Sequence, residues 1–212
     1  MESVNDIHLL AIESAIAGGS IALFNGVDFI SGVAGESSVS RAEDLLPNIE
    51  SLLDASGVDR HKLNRIAISV GPGSYTGLRI GIATVMGLSR GLGIDNVGIP
   101  IIEAIADHYS GDPSLIALPM GRSDICIADT AFASTRVVSL DELKREMEQR
   151  RDARLLAHTD LIPDLIELRP DVIDLGTNLA KYVGLAAFNR PPGNTLDPIY
   201  IQNPRFGNAL PA

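Results

Sequence analysis

The sequence predicts an α/β fold in two lobes, each a mixed β-sheet covered by helices, and three observations carry this. Three short apolar segments closed by tight turns open the chain, at 7–13, 20–25 and 27–33. Helix and strand signals then alternate up to about residue 110. After Gly111-Asp112-Pro113 the same succession starts again. Strands joined by short turns pair antiparallel, whereas strand–helix–strand units pair parallel, so each half closes as a mixed sheet with helices packed on it.

Taken in order, Asn25-Gly26 is the best hairpin signal in the chain, with apolar runs on both sides. A helix follows, opened by Ser40-Arg41-Ala42-Glu43, which reads as a capping box. Leu45, Leu46, Ile49, Leu52 and Leu53 then recur at helical period as one apolar stripe. Pro47 inside this pattern predicts a kink or a delayed start of the regular part, and Gly57 predicts the stop. A buried strand at 65–70, a helix at 75–91, a short strand at 96–99 and a helix at 101–109 complete the first half. Three strands followed by alternating helix and strand is the order of a ribonuclease H-like, actin-like ATPase lobe. In the second half, strands are expected at 115–119, 125–129 and 135–138, then a strongly charged helix at 141–151. A strand at 155–157, a helix at 161–168, a strand at 171–175 and a helix at 177–188 follow. Beyond residue 190 the chain is too rich in Pro, Asn and Gly for regular structure except at 198–201. The expected division is an N-terminal lobe over 1–110, a smaller C-terminal lobe over 111–203 and a tail over 204–212.

Composition excludes several classes of function. At 45% hydrophobic and 21% charged residues, the 212-residue chain can bury a sizeable core. Seventeen Lys and Arg against 27 Asp and Glu leave a net charge of −10. That argues against gripping nucleic acid unaided, which needs a basic face to neutralise phosphates. The single cysteine, Cys126, excludes an internal disulfide framework and fits a reducing compartment. The N-terminus is acidic and no apolar run reaches membrane length, so a cytoplasmic protein is expected. The four histidines, His8, His61, His108 and His158, include no pair at metal-ligand spacing, and no metal site is expected.

The conspicuous segment runs from Ser69 to Gly81 and joins a buried strand to a helix, where free helical amides can bind an anion. Its spacing fits no standard nucleotide motif. Gly77 comes one residue late for a dinucleotide turn, a phosphate loop would need a following Lys, and Pro72 stands where a nucleophile elbow needs Gly. Pro72 and Gly73 make the turn and Ser74 or Thr76 caps the helix, which explains most of the segment without a ligand. Glu13, Ser14, Gly71, Gly73, Ser74 and Thr76 remain candidates for a vestigial phosphate-binding turn. In the helix that follows, Gly77, Gly81 and Gly87 each cost roughly 1 kcal/mol against alanine, so something packs closely there. Together with the leucine stripe this makes a candidate helical dimer face, comprising Leu45, Leu46, Ile49, Leu52, Leu53, Tyr75, Arg79, Ile80, Ala83 and Gly87. The leucine stripe by itself is explained better by covering the sheet.

The unbroken run from Gly71 to Gly81, GPGSYTGLRIG, closely resembles the signature of the bacterial TsaB (YeaZ) family. Leu10-Ala11-Ile12-Glu13-Ser14, Glu43-Asp44-Leu45-Leu46-Pro47, Ala83-Thr84-Val85-Met86-Gly87-Leu88 and Asp197-Pro198-Ile199-Tyr200-Ile201 match it in the same order. The match is specific over about residues 7–107 and loose from 111 to 195. Departures are Glu13-Ser14 for the usual Asp-Thr, Arg41-Ala42 for His-Ser, and Met120-Gly121-Arg122 for Asp-Ala-Arg. The resemblance implies an actin-like, ribonuclease H-like fold and a non-catalytic partner of the related subunit TsaD. With the ATPase TsaE, TsaD installs threonylcarbamoyl on an adenosine beside the tRNA anticodon. It further implies that the first two helices, at 41–55 and 75–91, face TsaD, or a second copy when TsaD is absent. No cofactor of its own is implied, since ATP is used by the partner subunits. tRNA would be met only through the complex, and no membrane is involved.

The rival reading is an actin-like-fold nucleotide-binding protein or ATPase acting outside tRNA modification. It needs an acidic residue at the first turn to hold a metal or activate a nucleophile, and Glu13 is the candidate. Asp174-Leu175-Gly176-Thr177-Asn178 resembles an adenosine-side turn but is explained as simply by a strand end and a helix cap. A scaffold accounts better for a nucleotide-type fold whose ligands are missing while its glycine-bearing helix is kept.

Overall fold

A computed structural model describes residues 7–35, 44–109, 113–121, 123–193 and 195–201. The expected capping box Ser40–Glu43 and the tail 204–212 lie outside the described residues, as do Arg41, Ala42 and Arg122.

Five strands form the first sheet: β1 (His8–Glu13), β2 (Ser20–Asn25), β3 (Asp28–Ala34), β4 (Leu63–Gly71) and β5 (Asp95–Pro100). Their order is β3-β2-β1-β4-β5, with β1–β2–β3 antiparallel and β1–β4–β5 parallel. The β2–β3 turn has two residues, and Gly26 takes φ 57, a conformation that favours glycine. Helices α1 (Leu45–Ser56) and α2 (Tyr75–Leu92) follow β3 and β4, and α3 (Ile101–His108) follows β5. Pro47 sits in the first turn of α1 as described, Leu45–Ser56, where its missing N–H costs nothing. Gly57 at φ 64 ends it as expected.

The second sheet repeats this plan with β6 (Ser114–Met120), β7 (Asp124–Asp129), β8 (Ser134–Val138), β9 (Arg154–Ala157) and β10 (Ile173–Asp174). Again the first three strands are antiparallel neighbours and the later two run parallel to the first. Helices α4 (Leu140–Gln149), α5 (Ile162–Leu165) and α6 (Ala180–Ala187) take the positions of α1, α2 and α3 in sequence. Three elements are shorter than expected. β10 has two residues because Asp174 turns its carboxylate onto the Gly176 amide at 2.7 Å and ends the strand. α5 follows a 3-10 turn at Thr159–Leu161, initiated by His158 accepting from the Asp160 amide. α6 starts at Ala180 rather than 177, since Asn178 accepts from the Lys181 amide and donates to the Ile21 carbonyl. Residues 198–201 form no strand.

Strand alternation builds the layers. Leu10 and Ile12 of β1 pack under α1 and α2, while Leu9 and Ala11 face the opposite way. In β6, Leu115 and Ala117 pack under α4 and α5, and Ile116 and Leu118 face the other side. The two inward faces share one core with α3 and α6 between them, giving five layers, helix–sheet–helix–sheet–helix. Tyr182 of α6 is fully buried there; its hydroxyl donates to the Leu175 carbonyl at 3.1 Å and meets the Tyr109 hydroxyl at 3.2 Å.

Candidate interaction face and the glycine turn

The turn after β1 and the turn after β4 interlock. Glu13 is buried, and its two carboxylate oxygens accept from the amides of Ala15 (2.7 Å) and Ile16 (3.2 Å), which folds residues 14–19 back on themselves. The Ala15 carbonyl then accepts from the Ser74 amide at 2.9 Å, and the Ser14 hydroxyl donates to the Gly77 carbonyl at 2.9 Å. Ser74 caps α2 by accepting from the Gly77 amide at 3.2 Å.

The candidate phosphate residues are therefore brought together, but the space among them is filled by the chain itself. A side chain at Gly73 would run into the Ala15 Cβ, and one at Gly71 would stand 2.6 Å from the Ile199 carbonyl oxygen. Gly77 and Gly81 admit Ser14 and Ala15 against α2, so their glycines serve packing within the chain. Beside Glu13 and Ser14 lies a cavity of about 30 Å³, lined also by Ser20, Val33, Leu45 and Asn48, with room for no more than a water or two. Pockets for drug-sized ligands run to about 300–1,000 Å³. Burial pushes the Glu13 carboxyl from 4.5 up to about 7, against the pull of its two amide donors. Thr76 stands exposed on α2. Among the described residues no three His, Cys, Asp or Glu side chains could hold a metal ion. His158 is buried, and burial lowers its pKa against the opposing pull of Asp160 and Asp174.

The ten candidate interface residues divide in two. Leu45, Ile49, Leu52 and Leu53 are 8%, 4%, 2% and 6% exposed and pack on the sheet with Leu10, Ile12, Leu23 and Ile66. These four are corrected to core residues, because helical period marks an apolar side without saying what covers it. Leu46 points outward at 49% exposure, beside Glu50 and Asp54 on the outer side of α1. Tyr75, Arg79, Ala83 and Gly87 are exposed on α2 and Ile80 is half-buried. A side chain at Gly87 or Gly91 would meet nothing within 4 Å, unlike Gly77 and Gly81.

Met86 and Arg90 extend the same exposed side of α2 and were missing from the sequence-based set. Their spacing of three and seven residues from Ala83 was a sufficient signal. Tyr200 also joins it, and no periodicity could have placed it. The closing segment is held across the sheet by the Ile199 amide donating to the Val70 carbonyl at 2.7 Å. This sets the Tyr200 ring 5.1 Å from that of Tyr75, while the Arg79 guanidinium lies 3.9 Å over Tyr75 and its Nε donates weakly to the Tyr200 hydroxyl at 3.4 Å.

Known proteins match this chain in sequence and in fold. The TsaB protein of Escherichia coli K12, named for tRNA threonylcarbamoyladenosine biosynthesis, is 30% identical over 100 residues, covering 47% of this chain and 43% of that protein. The similarly named TsaB of Bacillus subtilis is 29% identical over 159 residues, covering 69% and 66%. The YeaZ structure from Pseudomonas aeruginosa superimposes with a TM-score of 0.63 at 21% identity, over 92% of this chain and all of that one. A family model described as TsaD, tRNA N6-adenosine threonylcarbamoyltransferase, matches residues 33–146, just over half of the chain. The chain belongs to the TsaB (YeaZ) family. It spans less than half the length of the E. coli TsaB that it matches. The fold is the two-lobed actin-like, ribonuclease H-like one that the element order predicts. The TsaD-type match takes in the segment that holds α1 and α2. Among the described residues no helix is long and apolar enough to cross a membrane.

Proposed function

We propose that this chain is the non-catalytic subunit that binds a TsaD protein and supports its transfer of threonylcarbamoyl to the adenosine beside the tRNA anticodon. Its contact is the outer side of α1 and α2. The observation that carries this reading is the contrast along one helix. The N-terminal turn of α2, where a nucleotide enzyme would hold phosphate, is closed by Ser14 and Ala15, whereas the outer side presents Tyr75, Arg79, Ala83, Met86 and Gly87 uncovered. Glu13, the carboxylate that an ATPase reading requires, is engaged by its own turn. ATP belongs to the partner subunits, TsaD and TsaE, and tRNA is met through the complex, in keeping with a net charge of −10. Without TsaD, the same side pairs two copies.

The experiment is co-purification with TsaD from the same genome, followed by tRNA threonylcarbamoylation with TsaE and ATP. Modification that requires all three proteins is expected. Ile80→Glu should abolish the complex and leave the monomer folded. A complex that survives this change on a sizing column excludes the outer side of α2 as the contact.

A further inference from the structure

Charge is segregated between the two outer helices. Over its 18 residues α2 carries Arg79 and Arg90 and no acid, whereas α1 carries Glu50 and Asp54 and no base. Arg79 differs from an ordinary surface arginine in being held. Its guanidinium is stacked on Tyr75, and its Nε donates weakly to the Tyr200 hydroxyl. Both rings are about half exposed, Tyr75 at 53% and Tyr200 at 43%. The Nε contact uses one edge of the guanidinium, while the Nη donors stay in the fork geometry that matches a carboxylate.

We infer that Tyr75, Arg79 and Tyr200 form a preset receptor for a carboxylate side chain of the protein that docks on α1 and α2. This inference rests on the proposed docking role of those helices and adds the partner's chemistry. Fixing the arginine before binding removes much of the side-chain ordering cost of an exposed ion pair, which is why such pairs are ordinarily weak. Aromatic side chains flanking an arginine are also the composition in which binding energy concentrates. The partner favoured by the charge pattern is a protein with an acidic helix opposite α2. A TsaD-type family model matches the segment that holds α1 and α2; in a pseudo-twofold pairing of two such chains the α1 of each lies over the α2 of the other, and that helix of the partner is where the carboxylate is expected. The closing segment 195–201 is then part of the contact rather than only a strap over β4 and β5.

The test uses the full chain and TsaD from the same genome, with the dissociation constant measured by calorimetry at two salt concentrations. Arg79→Gln is expected to weaken binding tenfold to a hundredfold and flatten its salt dependence. Arg79→Lys should not restore it, and Tyr200→Phe should weaken it about threefold. Thermal melting of each variant alone checks that the fold is kept. If Ile80→Glu abolishes the complex while Arg79→Gln binds within twofold of the parent, the docking side stands and the receptor falls. If both variants bind like the parent, the docking side itself is wrong. If Arg79→Gln leaves the protein affinity unchanged but weakens tRNA capture by the assembled complex, the guanidinium meets a phosphate, and the carboxylate assignment is overturned.

Discussion

The two sheets share one strand order, β3-β2-β1-β4-β5 and β8-β7-β6-β9-β10, with the same parallel and antiparallel pairs. They differ in what covers their outer sides. On the first sheet α2 runs 18 residues along β4 and β5, whereas its counterpart α5 has four residues beside a four-residue β9 and a two-residue β10. The outer side of α4 is a solvated surface: of its ten residues, Asp141, Glu142, Lys144, Arg145, Glu146 and Glu148 are charged, and a full capping box between Ser139 and Glu142 stabilises its start. The outer side of α2 has two charges and carries exposed Tyr75, Met86 and bare glycine. One topology therefore yields a surface that satisfies itself and another that leaves apolar area uncovered, which single chains ordinarily keep small.

Core substitutions give the largest expected effect on this comparison. Leu52→Ala in α1 and Leu143→Ala in α4 should each cost about 2–5 kcal/mol in denaturant unfolding, since both fill closed cores. Leu46→Ala should change stability by no more than about 0.5 kcal/mol. An equal loss at Leu46 and Leu52 would put the outer side of α1 inside the core and erase the contrast. Gly81→Val comes next, at about 3 kcal/mol, because its side chain would collide with Ser14 and approach Ile68.

The pH dependence of stability sharpens the contrast further. β1 ends on the buried Glu13, while its counterpart β6 ends on Met120. Because burial raises the Glu13 pKa, the folded chain holds this proton more tightly than the unfolded chain. Its stabilising contribution is full below about pH 4.5 and is lost as pH rises through about 7. The loss is on the order of 3 kcal/mol for the parent, and Glu13→Gln should flatten that slope in melts at graded pH. The smallest effect is Gly87→Ala, expected to stabilise the isolated chain by about 1 kcal/mol, because helical glycine is replaced where nothing stands within 4 Å. A destabilised Gly87→Ala chain would mean that this stretch of α2 is already in contact.

Most strands and helices were legible because apolar alternation and helical period leave local marks. Leu9 to Ile12 and Leu115 to Leu118 are continuous apolar runs with both faces buried, as strands covered by helices on each side must be. The glycine turn was legible as a turn and a cap. Its interlock with residues 14–19 was not, since the bonds from Ser14 to Gly77 and from Ser74 to Ala15 join points some 60 residues apart in sequence. The leucine stripe shows the same limit: period located an apolar side correctly, and the sheet beneath it took four of its five members. Tyr200 joins Tyr75 and Arg79 through a segment without periodic structure, so only its resemblance to a family closing segment marked it in advance.

Helix α6 lies late in the chain, yet it completes the core of the first sheet. Its Gly184 lets the Phe24 ring press directly on the helix backbone, and the Ala180 amide donates to Ser20 of β2 at 2.9 Å. During synthesis, the side of β1 and β2 bearing Leu9, Ala11 and Phe24 has no α6 to lie against until residue 187 leaves the ribosome. At about 5–20 residues per second this is a wait of roughly 4–15 s after residue 110 has been added. The nascent N-terminal half therefore exposes that apolar side during the interval.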